Sequence, residues 1–238
     1  MASRDADQQC KLVILGNGSV GKTSIIARFT DDGFQRVYKQ TIGVDFFEKL
    51  VTIRGDNRLK LQVWDIGGQS IGSKMVDKYV HGSQVIFLVY DVTDQQSFDD
   101  IEDWLSVVHR VFAKAEEANS PAPKIYLIGN KIDLIGLRKV SETDHAEWIE
   151  NHPVAGGFFM SAQSGENVLT VFYKVAASIA GVKLTDYELA FTSKVLNFTF
   201  QTGDDAETRM EGADAIEEED RRLEEDKKRR EARRCRIC

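Results

Sequence analysis

The chain has 238 residues, of which 42% are hydrophobic and 29% are charged, and its formal net charge is −7. This composition is ordinary for a soluble globular protein, and the length suits one domain with extensions. The acidic balance, without a basic stripe in the first 180 residues, argues against a nucleic-acid binder.

The N-terminal residues lack the pattern of a secretion signal, because residues 1–9 are polar. The longest apolar run, Val85–Tyr90, is far too short to cross a bilayer, and Ala2 excludes N-myristoylation. The cysteines are odd in number and lack the spacing of a disulfide framework, so we expect a reducing cytosol. They are Cys10, Cys235 and Cys238.

Predicted strands and helices alternate along the chain. Strands are predicted at 10–16, 45–54, 58–65, 84–91, 124–130 and 157–161, and amphipathic helices at 22–30, 71–80, 95–117, 141–151 and 166–181. The near-continuous apolar strands 84–91 and 124–130 are typical of parallel strands, and Arg54–Asn57 indicates a hairpin. We therefore expect an α/β fold: a six-stranded, mostly parallel sheet with one antiparallel edge strand and helices on both faces.

A phosphate-binding motif follows the first predicted strand. Glycines allow successive N–H groups to point at phosphates, and the helix that follows adds its positive N-terminal end. Lys22 would reach the β- and γ-phosphates, and the Thr23 hydroxyl would ligate Mg²⁺. Many ATPases, kinases and GTPases share the pattern G-x-x-x-x-G-K-[ST], so it does not choose the nucleotide. Its residues are Gly16, Asn17, Gly18, Ser19, Val20, Gly21, Lys22 and Thr23.

A second motif, Asp65-Ile66-Gly67-Gly68-Gln69, ends the third predicted strand. A carboxylate such as Asp65 at a strand end can hold Mg²⁺ through a water. The N–H of Gly68 can approach a γ-phosphate because no side chain obstructs it. Taken alone, such a segment is more often a simple turn.

Two further motifs select the base. The carboxylate of Asp133, in Asn130-Lys131-Ile132-Asp133, can accept hydrogen bonds from the N1–H and the exocyclic amine of guanine, whereas adenine would leave it unpaired. In Ser161-Ala162-Gln163, the Ala162 N–H could bind the guanine O6. All four motifs follow predicted strands, at the sheet edge where such folds bind ligands. Together they predict a guanine-nucleotide site.

Residues 10–182 resemble the Ras superfamily of small GTPases, and within it the Rab branch. The resemblance implies a G domain that binds GTP or GDP with Mg²⁺ and hydrolyses GTP slowly. The segments most similar to Rab signatures are Ile42–Phe46, Lys60–Trp64, Leu88–Thr93 and Phe98–Trp104.

The family pattern implies further site residues. Thr41, in switch I, would bind Mg²⁺ and the γ-phosphate, and Gln69 would orient the attacking water, so that both join Lys22 as catalytic residues. Phe34 would lie against the guanine, and Ser24 and Tyr38 would complete the nucleotide-binding set. Effectors would meet three surface aromatics at the positions of Phe46, Trp64 and Tyr79. The alternative interpretation of such strand aromatics is core packing.

Departures from the family pattern indicate which Rab subtype the chain resembles. Ile66-Gly67 replaces the usual Thr-Ala, and residues 70–79 lack the usual switch II arginines. These features are similar to the divergent Rab subtype numbered twenty-eight, which suggests endosomal or ciliary traffic by analogy alone. Gln163 stands where the family usually has Lys, but the backbone contact expected of Ala162 does not need that side chain.

The two ends of the chain are expected to lie outside the G domain. Residues 1–9 are expected to be flexible, and residues 183–238 are expected to form a flexible, charged tail that is partly helical. Cys235 and Cys238 indicate prenylation, and the seven basic residues between Lys227 and Arg236 would add attraction to an anionic leaflet.

The sequence therefore predicts a monomeric GTPase switch that cycles between the cytoplasm and the cytoplasmic face of membranes. It would need effectors, an exchange factor, a GTPase-activating protein and a prenyl-binding carrier. Two alternatives stay open: a GTP-binding scaffold that hardly hydrolyses, and an ATP-using P-loop enzyme. Gly18 and Gln69 argue against the first, and Asn130–Asp133 argues against the second.

Overall fold

The computed structural model describes residues 8–30, 41–53, 57–116 and 121–185, and six strands lie within them. They are β1 (Gln8–Leu15), β2 (Val44–Thr52), β3 (Arg58–Ile66), β4 (Val85–Asp91), β5 (Lys124–Asn130) and β6 (Gly156–Phe159). The strands form a single sheet in the order β2-β3-β1-β4-β5-β6.

The sheet combines parallel and antiparallel strands as predicted. The edge pair β2–β3 is antiparallel, with Phe46 opposite Trp64, and the other pairings are parallel. A backbone hydrogen bond of 3.0 Å from Ile53 to Asn57 closes the hairpin, while residues 54–56 of the predicted turn lie outside the described residues. The predicted fold class is confirmed.

Helices cover both faces of the sheet because the strands carry apolar residues on both. In β1, Cys10, Leu12 and Ile14 point into one apolar core, which also contains residues of the first and last helices, whereas Val13 and Leu15 point into the other. The described helices are α1 (Lys22–Thr30), α2 (Lys74–Val80), α3 (Gln95–Asp99), α4 (Ile101–Glu116), α5 (Glu142–Asn151) and α6 (Val168–Ala180). None of the helices described is long and apolar enough to span a bilayer.

The helix predicted at 95–117 is two helices, α3 and α4, separated at Asp100. The N–H of Asp100 donates to the carbonyls of both Gln96 and Phe98, which ends α3 with a tight turn. Apolar residues recur at helical spacing on both sides of this turn, so hydrophobic periodicity continues through it. Local hydrogen bonding, rather than the apolar pattern, therefore decides where the helix breaks.

Local capping also moves the start of the helix predicted at 71–80. The helix begins at Lys74, because the Ser73 hydroxyl accepts a hydrogen bond from the Met75 N–H at 3.2 Å. A short 3₁₀ turn, Gly68–Ser70, precedes it. The segment after the carboxyl end of β3 is therefore non-helical in two places, at Gly67 and at residues 71–73.

Candidate functional site

The phosphate-loop motif lies between β1 and α1 and is tightly enclosed. A Cβ atom on Gly16 (φ +142°) would lie 2.1 Å from the carbonyl oxygen of Val89 in β4. A Cβ atom on Gly21 (φ +96°) would lie 2.3 Å from Nδ2 of Asn130. Both positions combine left-handed backbone with almost no space, so they require glycine.

Lys22, the first residue of α1, reaches back across the loop. Its Nζ donates to the carbonyl oxygens of Gly16 and Asn17, each at 2.7 Å, and the residue is only 6% exposed. Burial lowers the pKa of Lys22 to about 8, an effect that the negative charge of Asp65 partly offsets. The lysine is therefore a buried cation at the mouth of the loop, where an anionic ligand would favour its charged form.

Three oxygen-bearing side chains meet beside this lysine. The Thr23 hydroxyl donates to Oδ2 of Asp65 at 2.5 Å and lies 2.9 Å from the Thr41 hydroxyl, which is 3.3 Å from the same carboxylate oxygen. Burial raises the pKa of Asp65, against the hydrogen bond from Thr23 and the charge of Lys22. Oδ1 of Asp65 is buried and finds no hydrogen-bond partner among the described residues. A water bound to a hard cation would satisfy that oxygen, so these residues fit hydrated Mg²⁺.

The two segments around this cluster touch through backbone. The Gly67 N–H donates to the Gly43 carbonyl at 3.0 Å, and a Cβ on Gly67 would lie 2.6 Å from the Thr41 carbonyl oxygen. A Cβ on Gly68 would lie 2.1 Å from the backbone nitrogen of Gly18. Glycines at 67 and 68 therefore allow the segment after β3 to approach both Thr41 and the phosphate loop.

Gln69 follows in the 3₁₀ turn and is exposed. Ser24, in the first turn of α1, is half-buried. Phe34 and Tyr38, which the family pattern adds to the nucleotide site, lie outside the described residues, as do Cys235 and Cys238.

Asn130 links the phosphate loop to the last sequence motif. Its Nδ2 donates to the Val20 carbonyl at 2.8 Å, and its Oδ1 accepts the Ala162 N–H at 3.1 Å. The residue is 1% exposed. A contact from the Ala162 N–H to guanine O6 would therefore have to share that hydrogen with Asn130.

Asp133, the proposed base-reading carboxylate, is oriented by its neighbours. The Ser161 hydroxyl donates to Oδ1 of Asp133, and the same hydroxyl oxygen accepts the Ser164 N–H at 2.9 Å. Asp133 is half-buried, and Gln163 is exposed. One carboxylate oxygen is thus held while the other can face a ligand.

Lys131, which lies between Asn130 and Asp133 in the chain, has a left-handed backbone (φ +69°) and forms an ion pair. Its Nζ lies 2.6 Å from Oδ2 of Asp91, at the end of β4. Oδ1 of Asp91 accepts the N–H of Thr93 at 2.9 Å and its hydroxyl at 2.8 Å. Asp91 lies in the Rab-like segment Leu88–Thr93 but received no role from the sequence, although a carboxylate at the end of a buried strand is a signal of the kind that identified Asp65.

Arg28 is a second residue that sequence analysis missed. From α1, its Nε donates to the Ala162 carbonyl at 3.0 Å, and its Nη2 donates to the Gln163 carbonyl at 2.6 Å. The guanidinium therefore ties the helix that follows the phosphate loop to the segment that carries the base-reading motif. A basic residue in the last turn of a helix is too common to reveal this role from sequence.

The three predicted surface aromatics form a continuous patch. The ring centroids of Phe46 and Trp64 are 5.3 Å apart, and those of Trp64 and Tyr79 are 6.2 Å apart. Phe46 is 48% exposed, so core packing does not account for it, whereas Trp64 and Tyr79 are half-buried and also pack against the core that contains Val13 and Leu15. An exposed apolar patch of this kind is typical of a protein-binding surface.

The chain is similar in sequence to several known proteins. The model of the Ras family matches residues 11–181. The Ras-related protein Rab-28 of Caenorhabditis elegans is 39% identical over 183 residues, which cover 77% of this chain and 72% of that protein. Ras-related protein Rab-13 of Rattus norvegicus is 38% identical over 173 residues, 73% of this chain and 81% of that protein. Ras-related protein SEC4 of Candida albicans is 37% identical over 180 residues, 75% and 80% of the two chains.

The contact between Gly67 and the Thr41 carbonyl leads to a test. Although the family usually has Ala at this position, in this chain the methyl group of Gly67→Ala would push Thr41 away from Thr23 and Asp65, because the obstructing atom is backbone and lies 2.6 Å from the new Cβ. We expect release of a fluorescent GTP analogue to accelerate about tenfold, within the range for overpacking, with GDP release changed much less.

Gly72→Ala is the matched control, since a Cβ there meets no described atom within 4 Å. Release of both nucleotides from this variant should match the unmodified protein. Equal acceleration in the two variants, or none in Gly67→Ala, would contradict the steric role of Gly67.

Proposed function

Because this chain belongs to the Rab branch of the Ras family of small GTPases, GTP-hydrolysing enzymes of membrane trafficking, we propose that it is a membrane-associated switch controlled by GTP. It would bind GTP or GDP with Mg²⁺, hydrolyse GTP slowly and recruit effectors in the GTP state. The observation that carries the proposal is that all four nucleotide motifs meet at the carboxyl edge of one sheet.

The phosphate end of the site supports binding of a triphosphate. Residues 16–21 would surround the phosphates with backbone N–H groups, and Lys22 would exchange its two carbonyl partners for β- and γ-phosphate oxygens. Thr23, Thr41 and, through a water, Asp65 would hold Mg²⁺. The metal would neutralise charge that develops on the phosphates during hydrolysis.

Hydrolysis would depend on three residues with separate tasks. Gln69 would orient the attacking water, Lys22 would stabilise charge on the γ-phosphate, and Thr41 would position the metal and phosphate. Gly68 adjoins Gly18, which brings the turn containing Gln69 against the phosphate loop. By analogy with related GTPases, unassisted turnover would be on the order of 10⁻⁴ to 10⁻³ per second.

Selection of the base would depend on Asp133. Its carboxylate would pair with the N1–H and exocyclic amine of guanine, while Ser161 keeps the carboxylate in orientation. Asn130 and Lys131 would join the base-binding side of the site, Asn130 through its contacts to Val20 and Ala162. Adenine would leave the ligand-facing oxygen of the Asp133 carboxylate unpaired, which is a strong basis for discrimination.

The nucleotide state would be read at the surface formed by Phe46, Trp64 and Tyr79. Bound γ-phosphate would hold Thr41 and Gly68, and the Gly67–Gly43 hydrogen bond would keep together the two segments that carry these residues. Loss of the phosphate would release both segments and change the aromatic patch. An effector that needs the ordered patch would then dissociate.

The charged tail supplies the proposed membrane contact. Prenylation at Cys235, Cys238 or both, together with the basic residues between Lys227 and Arg236, would give the two signals that stable anchoring needs. A prenyl-binding carrier would keep the GDP form in the cytoplasm. By subtype resemblance, the target membrane would be endosomal or ciliary.

The first test replaces Gln69 with leucine. Gln69→Leu should bind GTP as tightly as the unmodified protein but hydrolyse it at least about tenfold more slowly, because the attacking water loses its orienting amide. Single-turnover hydrolysis of bound GTP measures this directly. Gln95→Leu is the control, since Gln95 is exposed on α3 and its side chain donates to Asp99. An unchanged rate in Gln69→Leu would remove that residue from the mechanism.

A second test concerns the base. In Asp133→Asn the carboxylate becomes an amide, which suits the additional carbonyl of xanthine. We expect GTP affinity to fall roughly 10- to 100-fold and xanthosine triphosphate to bind better, as the loss of a charged hydrogen-bond partner implies. Competition against labelled GDP measures both, with Asp103→Asn on the exposed face of α4 as control. Equal displacement by ATP and GTP in the unmodified protein would instead favour an ATP-using enzyme.

A third test concerns the anchor. The double variant Cys235→Ser/Cys238→Ser should move from the membrane fraction of cells to the soluble fraction, because the tail would keep its charge but carry no lipid. The single variants identify which cysteine is modified. Retention of the double variant on membranes would exclude prenylation as the anchor.

A further inference from the structure

We propose that Asp100 and Trp104, at the junction of α3 and α4, position the phosphate loop through the side chain of Asn17. The contact would set both the lifetime of bound nucleotide and the rate of hydrolysis. The inference rests on the proposed GTPase cycle and adds two residues that lie outside its nucleotide motifs.

The Asn17 side chain turns away from the loop interior and is held at both ends. Its Nδ2 donates to Oδ2 of Asp100 at 2.6 Å, and its Oδ1 accepts the indole N–H of Trp104 at 3.0 Å. A reversed amide would set its NH₂ against the indole N–H and its oxygen against the carboxylate. The two partners therefore allow one orientation of the amide.

The partners of Asn17 are themselves fixed. Trp104 is completely buried in the core under α4. Oδ1 of Asp100 accepts a hydrogen bond of 2.7 Å from the Gln96 side chain, and the Asp100 carbonyl accepts the Trp104 N–H at 3.3 Å. The loop is thus attached to a rigid part of the fold, through the turn that separates α3 from α4.

The backbone of Asn17 lies next to both Lys22 and Gly68. Its carbonyl oxygen is one of the two acceptors of Lys22, and its carbonyl carbon would lie 2.3 Å from a Cβ on Gly68. A shift of Asn17 would therefore move Lys22 and change the packing of Gly68 beside Gln69. Asp100 and Trp104 are positioning residues, because they would act on the phosphates only through Asn17.

The pairing can be reversed without changing its net charge. Asn17→Asp alone would place two carboxylates at the 2.6 Å contact, where they repel. In Asn17→Asp/Asp100→Asn, the new amide at position 100 can donate to the carboxylate at 17 and still accept from Gln96. Trp104 can also still donate to position 17. The exchange therefore restores all three hydrogen bonds and reverses the direction of only one, that between positions 17 and 100.

The experiment compares the full-length protein with Asn17→Asp, Asp100→Asn and the double variant. Each is loaded with nucleotide and Mg²⁺, and release of fluorescent GDP and single-turnover GTP hydrolysis are measured. We expect about tenfold faster release and slower hydrolysis in Asn17→Asp, a smaller change in Asp100→Asn, and recovery to within about threefold in the double variant, because charged hydrogen bonds contribute on this scale.

Asp99→Asn is the matched control, since Asp99 accepts from Gln95 as Asp100 does from Gln96 but lies on the exposed side of α3. It should behave like the unmodified protein. A double variant as defective as Asn17→Asp, or an Asn17→Asp protein with normal kinetics, overturns the inference. A merely structural role, which also overturns it, would lower the melting temperature and leave the hydrolysis rate of the loaded protein unchanged.

Trp104→Phe provides an independent check should Asn17→Asp fail to fold. It removes the indole N–H and keeps most of the buried ring, so nucleotide release should accelerate about threefold, as loss of one neutral hydrogen bond implies. Normal release from this variant overturns the inference. An unmodified protein that neither binds nor hydrolyses GTP would contradict the proposed function itself.

Discussion

The close fit of the phosphate loop against β4 and β5 is the constraint on which the rest of the site depends. The loop leaves β1 between two neighbours, Val89 and Asn130, that would lie within 2.3 Å of any Cβ at positions 16 and 21. Because the carboxyl ends of parallel strands meet at one edge, the loop lies beside the segments that follow β3, β4 and β5. The position of every other nucleotide motif follows from that arrangement.

Buried charge is the second feature of the site. Lys22 is nearly inaccessible to solvent, and its pKa is lowered by burial, whereas the pKa of the buried Asp65 is raised by burial. Neither charge is fully compensated by the other, and one oxygen of Asp65 lacks a hydrogen-bond partner within the described structure. A phosphate group and a divalent cation would compensate both, so ligand binding would also stabilise the fold around them.

Much of the fold could be predicted from sequence because the buried strands are strongly patterned. Strand β5 has the predicted bounds. Helix α1 has them too, because the phosphate-loop motif marks where it starts and its apolar face marks how far it extends. The prediction was wrong where local hydrogen bonds compete with hydrophobic periodicity. At Asp100 a tight turn divides one apolar stripe into two helices, and at Ser73 a side-chain cap delays the start of α2.

The sequence by itself determined the fold class and the four motifs, because glycine spacing, strand patterns and motif chemistry are local properties of the chain. The tertiary structure decided what the motif side chains contact. Asn17 belongs to the phosphate loop in sequence, yet its amide bonds Asp100 and Trp104, more than eighty residues away. Lys131 is likewise paired with Asp91, and Arg28 with the segment around Ala162. These contacts depend on which strands are neighbours in the sheet, and that order is a property of the folded chain.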